Sequence, residues 1–172
     1  MIAEQNNSFT KIGMATANEK LYKDYLDKAK RFCAYTERCT LETTTRLKQL
    51  GVPHSWIEPM IDELSNSGYI DDARFASIFA RSKFNQNQWG KVKIANALTA
   101  RNIAPEFISN ALNELEEERY VATLEQLIEK KLKSSKELSD YQLKGKIIEY
   151  CLQKGYEYDL CLKLTNKIQT TL

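Results

Sequence analysis

The sequence predicts an all-α fold of three tandem three-helix repeats forming an elongated, curved array. Three features predict it. Glycine and proline are scarce, six and three in 172 residues, as expected where helices dominate. No alternating β-branched run is bounded by hairpin turns. Apolar residues recur instead at three-and-four spacing, in a pattern that returns after 51 positions.

The opening stretch, residues 1–17, carries acids and lacks an apolar core of signal-peptide type, so it reads as a flexible leader on a cytoplasmic chain. A first helix is expected from Asn18 to Cys39, with Leu21, Tyr25, Ala29, Phe32 and Tyr35 on its apolar side. Thr40 is placed to cap a second helix with Leu47 and Leu50 facing inward. Gly51 ends it, as a residue that takes positive φ readily. Pro53 opens a third helix carrying Trp56, Ile57, Met60, Ile61 and Leu64, which Gly68 closes. These elements make a first repeat over 18–70.

The second repeat, 71–118, follows the same plan. Asp71 or Asp72 caps a helix bearing Phe75, Ile78, Phe79 and Phe84. The loop "NQNQWG" leads to a helix with Ile94, Ala97 and Leu98 inward. Pro105 starts the next, with Phe107, Ile108, Ala111, Leu112 and Leu115. Val52, Trp56, Ile57 and Leu64 align with Ile103, Phe107, Ile108 and Leu115. The third repeat, 119–172, has a long helix from Tyr120 to Lys133 and a break over Ser135–Ser139. Ile147, Cys151, Gly155, Tyr156, Leu160 and Cys161 then fall in the same phase. One triplet has little core of its own, so neighbouring triplets pack together.

No run of apolar residues is long enough to span a membrane. The four cysteines form no C-x-x-C pair and share one histidine, His54, which argues against zinc and for small buried hydrophobes in a reducing compartment. Phosphate-binding glycine loops and the nucleophile elbow are absent. No catalytic residue, metal site or cofactor is expected.

The acidic pair Asp71-Asp72 invites a metal or catalytic reading, but neighbouring side chains at a helix start diverge. The capping reading is stronger: Asp71 accepts from free N–H groups two or three residues on, Asp72 faces the positive end of the helix dipole, and Ile70 staples onto Phe75. Arg74 either pairs with these acids or joins a basic face.

Charge is segregated although the net charge is only +2. From Ala73 to Pro105 there are six bases and no acid: Arg74, Arg81, Lys83, Lys91, Lys93 and Arg101. From Glu106 to Glu118 there are five acids and no base. Lys91 and Lys93 stand at a helix start, where the dipole favours acids. An external anion suits both the lysines and the free N–H groups there, whether it belongs to phosphate or to an acidic protein groove. Trp89 is either an anchor between repeats or part of that surface.

The stretch from Ser67 to Ile103 resembles the central motif of the RecX family, the regulators of the RecA recombinase. Its skeleton is Gly68-Tyr69-Ile70-Asp71-Asp72, then Arg74-Phe75-Ala76, Arg81, Gly90, Ile94, Leu98 and Ile103. The resemblance implies three-helix repeats and no enzymatic activity. It implies binding to RecA and the RecA–DNA filament, lowered ATPase, strand-exchange and co-protease activities, and weak contact with single- or double-stranded DNA. Arg74, Arg81, Lys83, Trp89, Lys91, Lys93 and Arg101 are the expected contact residues. Gly68, Tyr69, Asp71, Asp72, Phe75, Ala76 and Gly90 are expected to be structural. The alternative is a stand-alone helical nucleic-acid-binding protein acting through the basic face.

Overall fold

The computed structural model describes the backbone of residues 3–134 and 140–171, and the side chains of 17–134 and 142–168. Among the described residues there are nine helices and no strand: α1 (Ala3–Tyr35), α2 (Thr40–Gln49), α3 (His54–Asn66), α4 (Asp72–Asn87), α5 (Lys91–Thr99), α6 (Pro105–Asn113), α7 (Glu117–Lys133), α8 (Asp140–Lys154) and α9 (Tyr158–Thr171). None is long and apolar enough to cross a membrane. The helices form three successive triplets. Two compact units emerge, Met1–Asp72 and Ala73–Leu172, so the second and third triplets share one unit. The helix expected to start at Asn18 begins at Ala3, so residues 3–17 of the expected leader have helical backbone within α1; the side chains before Ala17 lie outside the described residues. The break expected over Ser135–Ser139 is also outside them.

In the first unit, α1 packs on α2 and α3 around Leu26, Ala29, Cys33, Leu47, Val52, Ile57, Met60, Leu64 and Ile70. Thr43 is fully buried, and its hydroxyl donates to the Cys39 carbonyl at 3.1 Å. That bond meets the hydrogen-bonding need a buried hydroxyl would otherwise leave open.

The same turn closes the second helix of every triplet. Val52 N–H reaches back to the Leu47 carbonyl, Ile103 to Leu98, and Tyr156 to Cys151. The residue before each donor is left-handed: Gly51 at φ +77°, Asn102 at +57° and Gly155 at +91°. A helix that ends this way reuses its orphan carbonyls and turns an apolar residue back into the core. Val52, Ile103 and Tyr156 are all buried.

Several expectations change. The first helix stops at Tyr35, and the N-cap of α2 is Cys39, with extended φ and ψ. Thr40 is therefore the first helical residue, not the cap. Leu21 and Tyr35 are exposed, Tyr35 because it ends its helix. Ile78 is exposed as well, between exposed Arg74 and Arg81 on one helical stripe. Phe75, Ala76, Ala80 and Phe84 occupy the buried side of α4.

Candidate binding face of the second and third triplets

The site begins at the end of α4. Gln88 takes a left-handed conformation, φ +54°, and Trp89 N–H returns to the Lys83 carbonyl at 3.3 Å. This turn sets Trp89, half-buried, beside the last turns of its own helix. Gly90 then caps α5 in extended geometry.

Gly90 is buried because its backbone lies directly on that of Gly155, in the turn after α8. A Cβ at Gly90 would overlap the Gly155 carbonyl group and the Tyr156 nitrogen, and one at Gly155 would overlap Lys93. The close approach serves hydrogen bonding. Gly90 N–H donates to the Lys154 carbonyl at 2.8 Å and Val92 N–H to the Gly155 carbonyl at 3.0 Å. Lys91 N–H donates to the Tyr120 phenol oxygen at 2.9 Å. The positive end of α5 thus meets the negative end of α8. This overturns the expectation that these N–H groups are free for an external anion: three of them are taken inside the protein.

Tyr120 is the hub of the junction. Its hydroxyl donates to Glu157 at 2.7 Å while accepting from Lys91. Its ring lies 5.8 Å from Phe84 and 4.9 Å from Tyr156, so one aromatic row joins α4, α7 and the turn before α9. Burial, with the Glu157 carboxylate adding to it and the Lys91 amide opposing it, pushes the Tyr120 phenol well above its ordinary range. Burial does the same to Tyr156, whose buried hydroxyl has no hydrogen-bond partner among the described residues.

The expected contact residues divide accordingly. Lys91 is committed inside: its ammonium bonds Glu117 at 2.7 Å and lies 4.7 Å from the Tyr120 ring centroid. Arg74 and Arg81 are exposed on α4. Lys83, Trp89, Lys93 and Arg101 come together with Phe79. The Arg101 guanidinium sits 4.9 Å from the Phe79 ring, Lys83 sits 5.3 Å from both Phe79 and Trp89, and Lys93 sits 4.8 Å from Trp89. Cations and rings alternate along this face, each contact contributing about 0.5–1 kcal/mol at an exposed site.

The motif residues lie at the end of the first triplet and the start of the second. Gly68 is left-handed at φ +73°. Lys30 lies 5.9 Å from the half-buried Tyr69 ring. Asp71 immediately precedes α4, and Asp72 is its first residue. Asp72 also accepts the Thr40 N–H at 2.8 Å. Phe75 and Ala76 are core. Among the described residues no group of three or more His, Cys, Asp or Glu side chains is placed to hold a metal.

Residues 71–112 match the second three-helix domain of RecX, and 117–164 match the third, together just over half of the chain. Similar proteins include the "Regulatory protein RecX" of Bacillus thuringiensis (strain Al Hakam) and that of Bacillus cereus (strain AH187). Each is 30% identical over 155 residues, which is 88% of this chain. The chain spans only 57% of the length of either relative. Among solved structures, RecX from Lactobacillus salivarius superposes with a TM-score of 0.79 at 21% identity, covering 87% of this chain and 97% of its own. A second RecX crystal structure gives 0.75 at 20%, covering 85% and 74%. These matches fall on the second and third triplets described above, and the chain belongs to the RecX family.

Proposed function

We propose that this chain regulates the RecA recombinase by binding RecA and its filament on DNA. In this reading it acts in the cytoplasm and has no catalysis of its own. It lowers ATP hydrolysis, strand exchange and co-protease activity, and so restrains recombination, repair and the SOS response. Membership of a family of regulatory proteins supports the reading. The observation that carries it to a surface is the cation–aromatic face of α4 and α5. Lys83 and Lys93 are held over Trp89 with no carboxylate partner among the described residues. Such a face suits a negatively charged assembly.

The test is DNA-dependent ATP hydrolysis by RecA of the same organism. The purified chain suppresses it, and Lys83→Glu with Lys93→Glu relieves the suppression while helicity is retained. No suppression by the wild-type chain at several-fold excess overturns the proposal.

A further inference from the structure

The outer side of α4 is a face that neither the core nor the cation–aromatic cluster uses. At about 100° per residue, Arg74, Ile78, Arg81 and Asn85 fall within about 60° of arc. All four are exposed, and Ile78 keeps 40% of its surface open. Phe79 and Lys83, the α4 members of the cation–aromatic cluster, lie about 100° or more round the helix from this stripe. Ala76 and Ala80, on the far side, are fully buried. Beside the stripe, the Ser77 hydroxyl donates to Glu114 at 2.8 Å, linking α4 to the end of α6.

We propose that this stripe is a protein-docking surface, and that its partner presents an apolar pocket rimmed by carboxylates. A single exposed isoleucine is ordinary. Here it stands between two guanidiniums, four residues before it and three after. That is the spacing of anchors on a helix that seats in a groove. No acid occurs from Ala73 to Pro105, so the stripe offers its partner positive charge alone. Each guanidinium can hold a carboxylate through two parallel N–H···O bonds. The centre of the stripe decides the class of partner. Nucleic acid is met by cations along its phosphates and by rings against its bases. This stripe has an aliphatic side chain at its centre and no ring. Burying Ile78 is rewarded only by a partner with an apolar pocket, which a protein surface supplies. The inference deepens the regulatory reading and rests on it for the partner's identity: RecA supplies the surface.

The experiment is biolayer interferometry of the full chain against purified RecA without DNA, at two salt concentrations, beside the ATP-hydrolysis assay. Leaving out DNA removes nucleic-acid contact as a source of signal. Ile78→Asp is expected to weaken binding about tenfold or more, with melting temperature and helicity retained because the side chain is exposed. Ile78→Ala and Arg81→Glu keep the test open should Ile78→Asp fold poorly. Each is expected to weaken binding about threefold or more. Arg81→Glu should also make binding less sensitive to salt, whereas Ile78→Ala should leave that sensitivity unchanged. Wild-type affinity in all three variants would overturn the inference and leave the regulatory reading standing. A wild-type chain that neither binds nor suppresses RecA removes the regulatory reading and this assignment with it. Self-association of the chain that Ile78→Asp abolishes, with RecA binding unchanged, would give the stripe to a second copy and overturn the proposal.

Discussion

The Asp72 carboxylate accepts the backbone N–H of Thr40 at 2.8 Å, thirty-two positions earlier in the chain. It thus completes the start of α2 while itself beginning α4. An acidic pair that invites a metal reading is, in its second member, a cap for another helix. Asp72→Ala leaves the Thr40 amide without its acceptor and is expected to cost about 1–2 kcal/mol. Asp72→Asn keeps an acceptor oxygen and should cost less. Urea unfolding of both variants measures this, and equal stabilities would remove Asp72 from the role.

Gly90 is expected to be the least replaceable residue of the second triplet. Any Cβ there meets the Gly155 backbone, which has no rotamer by which to move away. Gly90→Ala should destabilise the chain by about 2–4 kcal/mol, through lost helix-start hydrogen bonds as well as overlap. Gly145, whose Cβ would meet nothing within 4 Å, provides the control. Gly145→Ala, inside α8, should be neutral or stabilising by up to about 1 kcal/mol. Comparable losses in the two variants would refute the close-contact argument.

Tyr120 and Tyr156 are tilted ring neighbours with opposite hydrogen-bonding fates. Tyr120→Phe strips the Lys91 amide and Glu157 of a partner and should cost about 1–3 kcal/mol. Tyr156→Phe deletes a hydroxyl that bonds no described residue, so it should be neutral or slightly stabilising. Both phenols ionise above their ordinary value of 10.0 in the folded chain. The unfolded chain therefore releases these protons first as pH rises. Stability is unaffected by them below about pH 10 and falls above it, by about 1.4 kcal/mol per pH unit for each phenol. Chemical unfolding between pH 8 and 11.5 should show this fall, reduced in each Phe variant. A flat profile in the wild type would contradict the burial of both rings.

Helix ends were largely legible in the sequence because they are local. Gly51, Gly68 and Pro105 each mark a boundary through their own backbone chemistry. The 51-residue offset was legible too, and it holds one signal left unused. Tyr120 lies 51 positions after motif residue Tyr69, so the repeat itself pointed to the junction's hub. What sequence could not show is which helix start meets which helix end. Gly90 and Lys154 are far apart in the chain, and nothing in either neighbourhood names the other. For the same reason Lys91 and Lys93 looked equivalent, although one is bound to Glu117 and the other lies along Trp89. Ile78 misled because apolar spacing around α4 is nearly continuous, and only packing selects the buried side.

The Gly90–Gly155 contact also bears on how such a chain emerges from the ribosome. Synthesis runs from the N-terminus, and domains generally fold in that order as they appear. Here α5 is made well before the turn whose carbonyls receive its first amides. Until Lys154 and Gly155 arrive, those amides are left to water, and the second triplet is a provisional structure. The three-helix module recurs along the chain, but the second module's α5 start is completed only by carbonyls of the third. The later one settles the earlier.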